Sequence, residues 1–125
     1  MNSISIHFKN ELNNKLTQVR TYVGTDGKLH SVDGTGADTV LNFNRIAKIQ
    51  SVKAKSIIAE SDYIGIVIAS TNNMPSDIKI NGVSKYASLV KNDQDVSYIL
   101  YDGKQGDRID VTVNANYVYP CILCK

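Results

Sequence analysis

The feature that most constrains this chain is a succession of short apolar-alternating runs separated by turn dipeptides: Asp26-Gly27, Asn81-Gly82, Asp102-Gly103 and Gly106-Asp107, with a further turn over Asp33 to Gly36. Glycine adopts positive φ without steric cost, and Asp or Asn bonds its side chain back to the following backbone, so each pair can reverse the chain within a few residues. Runs this short fit antiparallel strands and leave no room for the crossover helices of a parallel sheet. The implied architecture is a sandwich or barrel.

Thr21 to Val23 leads into Gly24-Thr25-Asp26-Gly27 and Leu29 to Val32 follows, which predicts a tight hairpin with a type I′ turn. Thr39 to Phe43 predicts a third strand, with Val40 and Asn42 on one face and Leu41 and Phe43 on the other. Further strands are predicted at Ile46 to Ile58 (bent where alternation slips near Ser51), Tyr63 to Ser70, Ile78 to Ile80, Ser84 to Val90, Val96 to Tyr101, Arg108 to Val113 and Tyr117 to Leu123. Thr71 to Asp77 is a turn. The run YIGIVIA, Tyr63 to Ala69, is apolar on both faces and belongs at the centre of a sheet covered on both sides, with Ile64, Ile66 and Ile68 pointing one way. Tyr98, Leu100, Ile109, Val111 and Val113 supply the rest of the expected core.

The N-terminal segment has two periodicities. Ile4, Ile6 and Phe8 alternate like a strand, whereas Phe8, Leu12, Leu16 and Val19 recur at spacings of four, four and three, which puts them on one helical face. The second pattern favours a helix from about Ser5 to about Thr17. A helix this short is marginal alone, so it must dock on its own domain, on copies of itself or on a larger partner.

At 125 residues the chain suits one compact domain with a small appendage. Its 14 basic and 12 acidic residues leave a net charge of +2, too balanced to require nucleic acid or an anionic membrane as partner. Arg45, Lys48, Lys53 and Lys55 form the one local basic stretch, which reads as a solvated strand face. No apolar run reaches the roughly 18 to 20 residues of a membrane-spanning helix, and the N-terminus lacks the pattern of a secretory signal, so synthesis in a cytoplasm is expected.

Residues with reactive chemistry are sparse. The two cysteines form Cys121-Ile122-Leu123-Cys124 near the C-terminus, without the helix of a redox motif or the further ligands of a zinc site. Two reduced or half-buried thiols facing opposite sides of a strand are expected. His7 and His30 show no metal-ligand spacing, and neither Asp33 with Asp38 nor Asp102, Asp107 and Asp110 match a calcium loop, so no metal or cofactor is expected. No Gly-x-Ser-x-Gly elbow or Ser, His and Asp grouping points to nucleophilic catalysis. Among seven tyrosines, Tyr86 and Tyr101 are the candidates for surface recognition, because an exposed ring offers contact area and its hydroxyl direction.

The stretches YVGTDGKLH, Tyr22 to His30, and GADTVLNF, Gly36 to Phe43, resemble a short module of virion and tail or fibre proteins of phages and prophages from Firmicutes and related gut bacteria. The match spans 22 residues, from Tyr22 to Phe43; where that module leads one to expect an aromatic after the histidine and a proline before the last phenylalanine, Ser31 and Asn42 stand here. Tyr98 to Val113 is similar to the closing strands of small jelly-roll domains. Jelly rolls serve capsid, fibre and lectin functions alike, so the fold does not choose among them.

The expectation is therefore a mostly β chain: an N-terminal helix and hairpin adaptor over residues 1–43, then an antiparallel jelly-roll-like β-sandwich over 44–125. The resemblance implies a non-enzymatic virion protein, of tail, fibre or head-decoration type, that associates with other virion proteins as a homo-oligomer, with a trimer as the expected count. Phe8, Leu12, Leu16 and Val19 would form its intermolecular anchoring stripe, and the sandwich loops would face solvent or a host-surface glycan. The alternative is a carbohydrate-binding module whose tyrosines stack on sugar rings.

Overall fold

A computed structural model describes residues 6–16, 19–43, 45–70, 73–91 and 96–125. Among these residues are one α-helix, α1 (Ile6–Leu16), and twelve strands: β1 (Arg20–Val23), β2 (Leu29–Val32), β3 (Asp38–Val40), β4 (Lys48–Ser51), β5 (Ser56–Ile58), β6 (Tyr63–Ser70), β7 (Asp77–Ile80), β8 (Val83–Ser84), β9 (Val90–Lys91), β10 (Val96–Gly103), β11 (Arg108–Thr112) and β12 (Val118–Cys124). The expected helix ends at Ser5 and Thr17, and part of the expected turn at Thr71 and Asn72, lie outside the described residues. Among the described residues no helix is long and apolar enough to cross a membrane.

Every strand pairing is antiparallel. The strands form a three-stranded sheet in the order β1-β2-β3, a five-stranded sheet in the order β4-β12-β6-β10-β9, and a four-stranded sheet in the order β5-β11-β7-β8. Four of the pairings, β7 with β8, β6 with β10, β5 with β11 and β4 with β12, are successive rungs of one long hairpin. Its tip is Asn81-Gly82, where both residues have positive φ (52° and 82°) as a two-residue type I′ turn requires. Pairing of β12 with β6 and of β11 with β7 then rolls that hairpin into two facing sheets, which is a jelly roll.

The predicted strand over Ile46 to Ile58 is in fact β4 and β5, one in each sheet, because the chain breaks after Ser51 to turn the corner between them. Ser84 to Val90 is likewise no single strand: a 3-10 turn at Tyr86–Ser88 separates β8 from β9, again carrying the chain from one sheet to the other. Both segments alternate well enough to read as strand, but each edge of a sandwich needs chain that crosses between layers.

The inner core fills the space between the two large sheets, with Tyr63, Ile66, Ile68, Ile99 and Ile122 meeting Ile57, Ile78, Ile80, Ile109 and Val111. The five-stranded sheet is also covered on its other face, so β6 is central and buried on both sides, as YIGIVIA predicts. Ile64 departs from the expected phase. Tyr63 pairs with Cys124 while Gly65 pairs with Leu123, which leaves Ile64 as the extra residue of a bulge and turns it to the outer cluster beside Val67. Gly103 accommodates the same irregularity: a Cβ there would lie 1.8 Å from the Tyr63 ring.

The outer cluster corrects the anchoring stripe. Phe8, Leu12 and Leu16 are at most 1% exposed and pack with Leu29, Leu41 and Phe43 against Val67, Tyr98, Cys121 and Leu123 of the five-stranded sheet. Burying a Leu side chain stabilises by about 1.5–3 kcal/mol, more than any contact an isolated helix makes with itself, so the stripe closes on its own domain. The Tyr98 hydroxyl donates to Asn13 on the helix, and Lys15 donates to the Asn42 carbonyl. Val19 lies beyond the helix and is 57% exposed. The same cluster joins residues on both sides of the expected boundary at 43 and 44, so the N-terminal segment is a third layer of the sandwich and has no core of its own.

Candidate functional site

The three-stranded outer sheet presents its polar chemistry on one face. Tyr22 pairs with His30 and His30 with Val40, while Arg20 pairs with Val32 and Val32 with Asp38. Residues two apart share a face of a strand, so these side chains point outward as Leu29, Thr21 and Ser31 turn inward and are buried. The Tyr22 ring stacks on the His30 imidazole at 5.0 Å and 21°, and the Arg20 guanidinium lies 4.7 Å from the Tyr22 ring centre.

Two loops bring carboxylates to the two ring nitrogens of His30. The first is the β1–β2 connection, where Gly24 N–H donates to Lys28 O at 2.9 Å and Gly27 N–H to Gly24 O at 3.0 Å, with Gly27 at φ +75°. This is a three-residue loop with a glycine bulge in place of the expected type I′ turn, since Asp26 has no positive φ. Asp26 accepts from the Lys28 N–H at 3.0 Å, and both its oxygens lie 2.9 Å from His30 Nε2. The second loop repeats the geometry at Asp33 to Ala37, with Gly36 at φ +88°, and delivers Asp38 Oδ1 to 2.9 Å from His30 Nδ1. The Tyr22 hydroxyl donates to the other Asp38 oxygen. Gly24 makes room for the arrangement: a Cβ there would meet His30 Nε2 at 2.6 Å.

Hydrogen bonds to Asp26 and then Asp38 raise the His30 pKa above its ordinary 6.5. The His30 contact, with the Lys28 N–H second, holds Asp26 below the usual carboxylate range. Asp38 is lowered first by Tyr22 and then by His30, and its proximity raises the Tyr22 hydroxyl in return. Only the imidazolium can donate from both nitrogens at once, so the geometry fits the charged form.

A groove of about 370 Å³ runs beside this cluster, between the hairpin tip at 26–28, the segment 40–43 and the segment 46–49. A more open groove of about 590 Å³ shares Gly27, Lys48 and Ile49 with it and continues along β4 to β5 and Glu60. Ser51 Oγ donates to Gly27 O at 3.2 Å, tying the hairpin tip to β4. Across the sandwich edge, Gln50 donates to Ile58 O at 2.8 Å and accepts from Glu60 N–H at 2.9 Å, and Lys48 pairs with Glu60. With Asp26, Lys28 and Lys48 beside Val40, Leu41 and Ile49 in its lining, the groove can bind an amphipathic group.

The residues singled out from sequence do not converge on this place. Tyr86 is 39% exposed, but Lys91 donates to its hydroxyl and lies 4.4 Å from the ring centre. Tyr101 is half-buried, with Tyr63 6.1 Å away and the Lys85 ammonium 5.5 Å from its ring centre, which corrects the expectation that it stands free. Phe8, Leu12 and Leu16 are core, and Val19 is exposed. Cys121 and Cys124 are free thiols, both buried, on opposite faces of β12 as strand geometry predicts. Asp33 accepts from the Thr35 N–H and hydroxyl and the Ala37 N–H of its own turn, and Asp107 accepts from Tyr63, Asn81 and Lys104. Among the described residues no three His, Cys, Asp or Glu side chains form a group that could hold a metal ion.

The His30 cluster escaped sequence reasoning, although one signal was present. Tyr22 and His30 are mirror positions about one turn, and Val32 and Asp38 about the next, so with both registers known the pairing follows. Comparison with protein-family models, with curated proteins and with solved structures finds no match.

Proposed function

We propose that this chain is a non-enzymatic structural protein of a phage particle, of tail, fibre or head-decoration type, that displays a jelly roll. The observation that supports this reading is the fate of the Tyr22 to His30 and Gly36 to Phe43 stretches, whose resemblance to a phage virion module first pointed there. Tyr22, Gly24, Asp26, His30 and Asp38 are the parts of one interlocked cluster, and Leu41 and Phe43 pack beneath it. A phrase that builds a rigid cap on the outer face of a jelly roll suits a reusable structural module. The likeness to capsid and fibre proteins is an analogy of fold and of this phrase.

On this reading the chain assembles with other virion proteins as a homo-oligomer, for which three subunits remains the expected count. Attachment uses surface outside the helix stripe, because Phe8, Leu12 and Leu16 are core. The test is mass spectrometry of purified particles from the phage encoding the chain, beside light scattering of the isolated protein. Its presence in stoichiometric amount supports the proposal; a strictly monomeric chain absent from particles refutes it. A carbohydrate-binding module is the second reading, favoured by the partly exposed Tyr86 and the mixed polar and apolar groove beside Asp26. Binding on a glycan array that Tyr86→Ala abolishes would select it.

A further inference from the structure

We propose that His30, clamped between Asp26 and Asp38, is a pH-operated latch that fastens the outer three-stranded sheet when protonated and releases it when the imidazolium loses its proton. The geometry carries this. One ring on β2 bridges two separate segments, the β1–β2 loop through Nε2 and β3 through Nδ1, each at 2.9 Å. A neutral imidazole keeps one N–H, so one of the two carboxylates must then face a ring lone pair at hydrogen-bond distance. Three titratable side chains touch the ring, Tyr22 of β1 by stacking, Asp26 of the loop and Asp38 of β3 by hydrogen bonds. Two cations lie behind them, Arg20 beside Tyr22 and Asp38, and Lys28 beside Asp26. Tyr22 is raised from its ordinary 10.0 and both aspartates are lowered from 3.8, so His30 is the member that switches in the range where histidine titrates.

The direction follows from linkage. A folded-state pKa raised above 6.5 means that the latch's stabilisation is complete below pH 6.5 and is lost as pH rises through the raised value. The two aspartates are lowered from 3.8, so their contribution holds above 3.8 and fails only as acid drives pH down through their folded-state values. The cap is therefore tightest between those two limits. Asp26, Lys28, Val40 and Leu41 are wall residues of the 370 Å³ groove, so release of the latch loosens that groove while the jelly roll beneath stays closed.

The experiment uses the labelled full chain from about pH 5 to about pH 9, the interval that contains histidine titration. NMR follows the His30 ring, with His7→Gln assigning it, and measures amide exchange corrected for intrinsic rate. The expected result is a His30 midpoint above 6.5. The opening constants of the hydrogen-bonded Gly24, Gly27 and Leu41 amides should rise with deprotonation by about tenfold per unit of elevation. A midpoint at or below 6.5, or cap amides whose opening constants do not change across it, would overturn the latch. His30→Gln should abolish the step, and a retained step would refute the assignment. Should that variant fail to fold, Asp38→Asn provides an independent check, since the His30 midpoint must fall towards 6.5 and an unchanged midpoint counts against the proposal.

Discussion

Replacing Leu12 by Ala separates the two roles available to the helix stripe. Leu12 is 0% exposed at the middle of an eleven-residue helix, packed in the cluster that holds Phe8, Leu16, Val67 and Leu123. Leu and Ala are both strong helix formers, so the substitution leaves local propensity almost unchanged and its effect reports tertiary packing. Truncating a buried Leu costs about 2–5 kcal/mol, set by how far the walls collapse into the void. The facing wall is a β-sheet held by pairing on both sides, which collapses little, so we take a value of about 3 kcal/mol. At about 2.1 cal/mol/K per residue, a 125-residue chain unfolds with an entropy near 0.26 kcal/mol/K, and the melting temperature should fall by about 11 °C. Circular dichroism melts and urea titrations measure this, with light scattering on the same samples. Val19→Ala, at a 57% exposed position, should change stability by less than about 0.5 kcal/mol. If Leu12→Ala lost less than about 0.5 kcal/mol, or acted by dissociating an oligomer whose subunits melt as before, the helix would not be docked on its own domain.

Two further predictions concern the interior. Gly103→Ala should cost more than about 3 kcal/mol, or expel Tyr63 and break its 2.8 Å bond to Asp107, because the added Cβ falls 1.8 Å from the Tyr63 ring; wild-type stability by denaturant titration would refute the bulge geometry. Both cysteines should resist a thiol reagent at about pH 8 until the chain unfolds, since both are buried and burial pushes the Cys121 thiol up to about 12; rapid labelling of the native protein would contradict this placement.

Much of the β architecture was legible because its causes are local. Asn81-Gly82 carries its turn type in two residues, and YIGIVIA announces burial on both faces by composition alone. The helix stripe was legible as a stripe, yet its partner was not, because an apolar face at helical spacing fits its own sheet and a second molecule equally well. Ile64 was misassigned for a related reason: a bulge shifts the phase by one residue without changing composition, and only the ladder with Leu123 and Cys124 reveals it. The His30 cluster needed the registers of two consecutive hairpins before Asp26 and Asp38 could be seen to share one ring.

By itself the sequence determined that this chain is antiparallel, mostly β, with turns at Asp26-Gly27 and Asn81-Gly82 and a short amphipathic helix ahead of them, whereas Asp102-Gly103 ends β10 instead of turning the chain. Backbone sterics and two-residue periodicity settle those features within a few residues of chain. Tertiary structure alone decided that the alternating runs at 46–58 and 84–90 each divide between two sheets, that the helix closes the outer face of its own jelly roll, and that a histidine with no partner in sequence is clamped by two aspartates. Each of these depends on which surfaces meet, and that choice minimises exposed apolar area and unpaired polar groups over the whole molecule, a condition no local stretch contains.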